Sequence, residues 1–234
     1  MNPTPFRLSD DPDGQESARL YAGDATSGLD AVLVLAHGAG AGQTHPFMVR
    51  FARGLAARGV SVITFDFPYM RTGRRTPDRA PVLEEAFRRV VENIATDHEL
   101  GRKRLMIGGK SMGGRMATHL AATPDAWPAG ASPLGGAIVL GYPLNPPGGA
   151  RRQDRVSHLF KINVPTLIVQ GTRDSFGGPA DLKDALAGRQ PMITIHAVDG
   201  GDHSFAVPKT KTRTQAQVDE GICDAIVEWI RQGA

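Results

Sequence analysis

The chain has 234 residues, of which 41% are hydrophobic and 22% are charged, proportions that fit a soluble globular protein. Its net charge of +3 is too small to indicate nucleic-acid binding, and no stretch is apolar enough to span a bilayer or to serve as a secretory signal. Cys223 is the only cysteine, which excludes an intramolecular disulfide and a cysteine-based metal site. We therefore expect one domain over residues 1–234, in the cytoplasm, with no nucleic-acid or membrane partner; a homodimer stays open.

Short apolar runs alternate with helical patterns along the chain. In the first thirty residues, FRL and ARLYA predict antiparallel edge strands. Further apolar runs predict strands at 31–36, 61–67, 104–109, 136–142, 165–171 and 192–198, and those at 31–36, 136–142 and 165–171 are expected to be buried. Helical spacing of apolar residues predicts helices through Phe47 to Leu55, Leu83 to Ile94, Met112 to Leu120, 179–188 and Val218 to Ile230, with a polar loop through Arg75. This alternation predicts an α/β protein with a mostly parallel central sheet and helices on both faces.

The segment Gly109-Lys110-Ser111-Met112-Gly113 matches the pattern G-x-S-x-G. It follows a predicted strand directly and precedes a predicted helix, so the serine lies on a sharp turn where small neighbours prevent clashes. The helix N-terminus beside it offers free N–H groups to a developing oxyanion. Ser111 is therefore the candidate nucleophile. A nucleotide-binding P-loop is rejected, because Arg104 stands where that motif requires a glycine.

A serine hydroxyl needs a base, and the base needs an acid that orients it. Asp174 follows the strand at 165–171 and His203 follows the next strand, so the chain order is serine, acid, histidine. Both lie after carboxyl ends of predicted parallel strands, the edge at which an open α/β sheet gathers its site. Asp154 is the reserve acid. His119, in a helix, His196, in a strand, and Cys223, beside an apolar stripe, are interpreted as structural residues.

The segment HGAG at 37–40 follows the first buried strand, where the second half of an oxyanion hole is expected. We assign the two donors to the backbone N–H groups of Met112 and Ala39. The alternative for HGAG is a flexible turn without a chemical role.

Seven stretches carry a resemblance to a known family: LAHGAGAG, FDFPYMRTGRRTPD, GGKSMGGRMA, GYPLNPP, RVSHL, VPTLIVQGTRDSFG and GGDHSFAVPK. Over nearly its whole length the chain resembles the α/β-hydrolase superfamily, and within it the small dienelactone-hydrolase-like branch, which includes uncharacterised bacterial hydrolases and a subunit of a histone-acetylation complex. The resemblance implies an α/β-hydrolase fold with Ser111, Asp174 and His203 as nucleophile, acid and base. Dienelactone hydrolases use a cysteine where this chain has serine, so their particular reaction is not transferred.

About 22 residues separate the predicted strands ending at 142 and starting at 165, too few for a large cap domain. We therefore expect an open, shallow site. The loop FPYMRTGRR can overhang it, which makes Tyr69, Arg71 and Arg74 candidate substrate contacts, with Arg75 beside them; the alternative is that these arginines pair with surface acids. His37, directly after the first buried strand, is the fourth candidate substrate contact.

The predicted reaction is the hydrolysis of a small ester or thioester through an acyl-enzyme, with no metal and no cofactor. Two alternatives stay open. One is a non-catalytic interaction module that keeps the hydrolase shape. The other is a serine peptidase, since the same triad cleaves amides.

Overall fold

Eight strands form one sheet in the computed structural model, which describes residues 2–9, 11, 17–145, 152–187, 192–208 and 213–233. The strands lie in the order β1-β2-β4-β3-β5-β6-β7-β8 across the sheet. Their bounds are Thr4–Phe6 for β1, Ala18–Tyr21 for β2, Ala31–Ala36 for β3, Val60–Phe65 for β4, Arg104–Lys110 for β5, Leu134–Leu140 for β6, Thr166–Gly171 for β7 and Ile193–Val198 for β8.

Seven α-helices connect and cover these strands within the described residues. Their bounds are Pro46–Ala56 for α1, Pro68–Arg71 for α2, Ala80–Thr96 for α3, Met112–Ala121 for α4, Arg152–Val156 for α5, Pro179–Leu186 for α6 and Gln215–Arg231 for α7. All six of these predicted strands are present, with ends that differ by at most two residues from the predicted ones, and β8 is only partly buried. The loop predicted through Arg75 begins with the short helix α2, whose first residue, Pro68, has the fixed φ that suits a helix start.

The strands from β4 to β8 in this order are parallel, and the two N-terminal strands are antiparallel. The prediction of antiparallel strands in the first thirty residues is confirmed in part: β1 pairs with β2, and β2 pairs with β4 with Ala18 opposite Phe65. The strand β1 shares only Phe6 with the predicted run FRL, and β2 lies inside the sheet, so β1 alone of the two is an edge strand. Because the parallel strands run in one direction, the loops that follow them all emerge at the same edge of the sheet.

Apolar side chains from the two faces of the sheet build two separate cores. In β3, Val32, Val34 and Ala36 pack into one core with α3, α4 and α6. Ala31, Leu33 and Leu35 point the other way and pack with α1 and α7. All six residues of β3 are buried, which is why this strand has a continuous apolar sequence and no polar alternation.

The connection between β6 and β7 contains no large cap domain. Its described residues form α5 and a short 3-10 segment at Ser157–Lys161. Nor does any helix in the described part of the chain combine the length and the apolar composition that crossing a membrane requires.

Candidate active site

Four loops meet at the edge of the sheet where the parallel strands end. The loop after β3 begins at His37, Ser111 follows β5 directly, Asp174 lies three residues after β7, and His203 lies five residues after β8. The sheet thus brings together groups that are 29 and 92 residues apart in the chain.

Ser111 has a backbone conformation that is rare outside glycine, with φ 51° and ψ −112°. Its N–H donates to the carbonyl of Leu140 at 3.1 Å, and its own carbonyl accepts from the N–H of Arg115 at 2.9 Å, so the strained turn is fixed on both sides. Among the described residues, the one other non-glycine residue with a positive φ is Phe205, in the loop of His203. The two unusual backbone positions therefore both belong to the candidate site.

Glycines around Ser111 allow the backbones to approach closely. A Cβ atom on Gly113 would lie 2.5 Å from the carbonyl oxygen of Ala36, and one on Gly109 would lie 2.6 Å from the same oxygen. No side chain fits at either position unless the backbone moves. The sharp turn and the contact of α4 with the sheet thus depend on these two glycines.

Ser111, His203 and Asp174 form a continuous chain of hydrogen bonds. The Oγ atom of Ser111 lies 2.9 Å from Nε2 of His203, and Nδ1 of His203 lies 2.7 Å from Oδ2 of Asp174. Because an ionised carboxylate can only accept, the neutral imidazole carries its proton on Nδ1 and leaves Nε2 to accept from the serine hydroxyl. The predicted trio therefore meets in the geometry that a nucleophile, a base and an orienting acid require.

The carboxylate of Asp174 is fully buried and held by two groups besides His203. Its Oδ2 accepts from the side-chain amide of Gln170 at 2.9 Å, and its Oδ1 accepts from the N–H of Phe176 at 2.8 Å. Gln170 also donates to the carbonyl of Gly177 and accepts from the N–H of Tyr142 at 2.7 Å. The acid is thus fixed in orientation by groups that the sequence analysis did not identify.

The loop of His203 is anchored in the core. Phe205 is fully buried, and its ring packs against Phe47 and Phe51 of α1 at centroid distances of 5.8 and 5.9 Å. Oδ1 of Asp202 accepts from the N–H groups of Ser204 and Ala206, which closes the turn. On the other side of the imidazole, the ring of Phe176 lies 4.3 Å away between centroids. These contacts limit the positions that the histidine can adopt.

Lys110, the residue before the serine, is a second group that the sequence analysis missed. It is 8% exposed, and its ammonium group donates to the backbone carbonyl of His203 and lies 5.3 Å from the ring centroid of Phe47. Burial lowers the pKa of Lys110 to about 8, although the carboxylates of Asp174 and Asp202 act in the opposite direction. The side chain therefore ties the loop of the base to the strand of the nucleophile.

The two candidate oxyanion donors lie beside Ser111. Met112 is the first residue of α4, so its N–H has no acceptor within the helix, and Ala39 lies in the turn after β3. Both residues line the same cavity as Ser111. This position agrees with the assignment made from the sequence, which stays a prediction.

The cavity beside Ser111 has a volume of about 550 Å³. Its apolar lining includes Ala41, Phe47, Met48 and Phe176. Its basic lining includes Lys110, Arg115 and Arg155, together with the imidazole groups of His45 and His203. Among the residues that the structure describes, no aspartate or glutamate lines this cavity. Pro143 and Arg155 come from the β6–β7 connection, so this connection, and not the loop at 67–77, contributes to the wall.

The four predicted substrate contacts lie elsewhere. His37 is fully buried; its Nδ1 donates to the carbonyl of Gly38 and its Nε2 accepts from the N–H of Phe67. Burial lowers the pKa of His37, so the ring stays neutral and fastens the loop of Ala39 to the end of β4. Tyr69 is fully buried as well, with its ring 5.9 Å from that of His37.

The two arginines in this predicted group have acidic partners. Arg71 pairs with Asp11 at 2.9 Å and Arg74 pairs with Asp78 at 2.7 Å, while Arg75 is exposed. None of these side chains lines the cavity in the described part of the chain. The alternative, pairing with acids, describes Arg71 and Arg74, although the carboxylates of Asp11 and Asp78 are largely buried and do not lie on the surface. We assign substrate contact to other residues.

The remaining candidates have structural positions. Asp154, the reserve acid, is exposed on α5, whereas Asp174 occupies the position next to the imidazole. Cys223 is buried on α7, and burial raises its pKa to about 12. His119 is hydrogen-bonded to Glu84 at 2.7 Å, and His196 lies within β8 with its pKa lowered by burial.

Comparison with known proteins agrees with this architecture. The family model described as an alpha/beta hydrolase domain matches residues 29–231. A dienelactone hydrolase from Anabaena variabilis is 17% identical, with 99% of this chain and 98% of that chain covered and a TM-score of 0.70. A serine hydrolase without a lid from Xanthomonas campestris is 17% identical, with coverage of 92% and 88% and a TM-score of 0.67.

A third structure, Est1E from Butyrivibrio proteoclasticus with bound ferulic acid, is 15% identical, with coverage of 92% and 94% and a TM-score of 0.66. At these identities the likeness shows the fold. The predicted fold, without a large cap, and the predicted resemblance to dienelactone-hydrolase-like proteins are confirmed. The relation to the histone-acetylation-complex subunit stays a prediction.

Proposed function

Because the chain belongs to the alpha/beta hydrolase domain family, we propose that it is a serine hydrolase of small ester or thioester substrates. The observation that carries the proposal is the hydrogen-bonded line from Ser111 through His203 to Asp174, with the serine at the wall of a cavity. A structural turn would not require a strained serine, a buried carboxylate and an imidazole in this order.

In the first half of the reaction, Oγ of Ser111 attacks the carbonyl carbon while Nε2 of His203 takes the hydroxyl proton. The N–H groups of Met112 and Ala39 stabilise the negative charge that forms on the carbonyl oxygen, and each such donor contributes about 3 kcal/mol in comparable sites. Asp174 stabilises the imidazolium and holds its orientation. The tetrahedral intermediate then collapses, and His203 returns the proton to the leaving alcohol or thiol.

In the second half, water enters the place of the leaving group. His203 takes a proton from the water, the resulting hydroxide attacks the acyl carbon, and the acid product leaves as Ser111 regains its proton. Because Gln170, Phe205 and Lys110 hold the acid and the base, little rearrangement is needed between the two halves.

The test is hydrolysis of p-nitrophenyl butyrate together with labelling by a fluorophosphonate probe. Ser111→Ala is expected to lower kcat on the order of 10⁴-fold or more and to abolish labelling, with an unchanged circular dichroism spectrum. Ser157→Ala, at an exposed serine, is the matched control and is expected to keep both activity and labelling.

Full activity in the Ser111→Ala variant would refute this proposal. A wild-type protein that neither hydrolyses esters nor reacts with the probe would favour the interaction module. Cleavage of peptide amides with a kcat/KM as high as that for esters would favour the peptidase.

A further inference from the structure

Two arginines in the wall of the cavity have an unusual position. Arg115 lies on α4 one turn after Ser111, with its N–H bonded to the serine carbonyl, and Arg155 lies on α5 in the β6–β7 connection. Four residues of a helix span about 6 Å, and side chains of a helix lean toward its N-terminus, so Arg115 extends on the side of the serine. Both arginines line the cavity that contains Ser111.

Neither guanidinium group forms a salt bridge with a carboxylate among the described residues. Other arginines of the chain do: Arg50 lies 3.0 Å from Asp219, and Arg58 lies 2.6 Å from Asp224. Nε of Arg115 is buried without a hydrogen-bond partner in this part of the chain.

Glu84 is an acid that lies near Arg115, and its carboxylate has another partner. The carboxylate of Glu84 accepts from His119 at 2.7 Å and forms no salt bridge with Arg115 within the described residues. The charge of Arg115 helps to lower the pKa of Glu84, and its guanidinium group also lies near the hydroxyl of Tyr142, but Nε of Arg115 has no partner among the described residues.

The arrangement is unfavourable for the empty protein. A cation in the first turn of a helix opposes the helix dipole, and Arg115 is the fourth residue of α4. Burial lowers the pKa of Arg155, and the neighbouring charge of Arg115 lowers it further, which indicates that the two groups repel each other. An anion between them would relieve this repulsion and would accept hydrogen bonds from the guanidinium groups.

We propose that Arg115 and Arg155 form an anion subsite beside Ser111, so that the substrate is an ester or thioester that carries a carboxylate a short chain away from the scissile carbonyl. This inference rests on the proposed function and adds the substrate class to it. The apolar wall of Ala41, Phe47 and Met48 contacts the hydrocarbon part, and the arginines bind the charged end. Arginine suits a carboxylate because its planar fork can donate two parallel hydrogen bonds.

The experiment compares two esters of equal chain length, the mono-p-nitrophenyl ester of adipic acid and p-nitrophenyl hexanoate. The ratio of their kcat/KM values is expected to favour the adipate ester. Arg115→Gln and Arg155→Gln are each expected to lower that ratio roughly tenfold to hundredfold, mainly through the KM of the adipate ester. Arg102→Gln, at an exposed arginine outside the cavity, is the charge-matched control and is expected to leave the ratio unchanged.

A second pair of substrates identifies which side of the ester bond carries the charge. If 4-acetoxybenzoate is preferred over its methyl ester, and the adipate ester is not preferred over hexanoate, the anion subsite binds the leaving group; the arginine variants must then lower this second ratio. If the kcat/KM ratios of both substrate pairs are the same in the wild type and in both arginine variants, the proposed anion subsite is wrong. The proposal that the protein is a serine hydrolase is not affected by that result.

A binding measurement separates the subsite from catalysis. Adipate is titrated calorimetrically into the Ser111→Ala variant, which cannot turn over an ester, and a saturable heat of binding is expected. The double variant that also contains Arg155→Gln is expected to give no such heat. This arm also covers the case in which no ester is hydrolysed: binding that depends on Arg155 supports the subsite, and absence of binding overturns it.

Discussion

Replacing Lys110 by methionine changes the pH dependence of stability by an amount that follows from its burial. The ammonium group has a pKa of 10.5 in an exposed position and about 8 in the fold. At roughly 1.4 kcal/mol per pKa unit, this difference corresponds to about 3 kcal/mol. Methionine has a similar length and keeps the contact with the ring of Phe47, but it does not titrate.

The sign follows from proton binding. Between pH 8 and 10.5 the unfolded chain keeps the proton on Lys110 and the folded chain has lost it, so the free energy of unfolding rises with pH in this window. Below pH 8 the full cost of the buried charge remains. We therefore expect the stability of the wild type relative to Lys110→Met to increase by about 3 kcal/mol between pH 7 and 10.5.

Urea unfolding of both proteins, followed by fluorescence of Trp127 and Trp229 at several pH values, measures this difference. The buried thiol of Cys223, whose pKa is raised to about 12, and the buried tyrosines also titrate in alkaline solution, but they act equally in both proteins and cancel in the comparison. A difference that stays constant within about 1 kcal/mol across the range would refute the reasoning, since the lysine would then titrate as it does in the unfolded chain.

Two further predictions concern the support of the site. Gln170→Leu removes one of the three hydrogen bonds to the buried carboxylate of Asp174 and takes the amide partner from the N–H of Tyr142 and from the carbonyl of Gly177. We expect chemical denaturation to show a loss of about 3 kcal/mol and assays to show a larger fall in kcat than rise in KM, and unchanged kcat would contradict the assigned positioning role. Gly113→Ala forces a Cβ against the carbonyl of Ala36 and should lower the free energy of unfolding by about 1–3 kcal/mol. Gly221→Ala, in open space on α7, should raise it by about 1 kcal/mol. Thermal melts in the reverse order of stability would show that the backbones do not approach closely at Gly113.

The buried strands and the catalytic candidates could be predicted because each has a local signal. A parallel strand covered on both faces has a continuous apolar sequence, as AVLVLA at 31–36 shows. The G-x-S-x-G pattern at Ser111 lies between such a strand and a helix, and Asp174 and His203 follow later strands. Since parallel strands end at one edge, chain order alone was enough to bring these residues together.

The substrate contacts could not be predicted in the same way, because the direction of a side chain in a loop depends on its partners. Arg71 pairs with Asp11, which is 60 residues away, and no local pattern reveals that contact. Tyr69 and His37 have polar atoms but are fully buried, and the sequence shows their residue type and not their exposure.

Two of the missed residues did have a signal. Gln170 is a polar residue that follows the apolar run from Leu167 to Val169 and precedes the glycine that ends β7. Lys110 is a charged residue at the end of the buried strand β5. A polar residue at the carboxyl end of a buried parallel strand lies at the site edge and must have a partner there. Arg115 and Arg155 had no comparable signal, since one is in a helix and the other in a connection.

Because Phe205 anchors the His203 loop in the core, the residues for the reaction and the residues for substrate choice can change independently in evolution. The base is held by packing of its loop against α1, and the acid is held by a residue at the end of β7. The positions of both groups therefore depend on residues that the whole fold needs. Arg155, in contrast, lies in a connection outside the sheet. Mutation can therefore alter which compounds enter the cavity without loss of the reaction, and divergent descendants of this protein are expected to differ first in that connection.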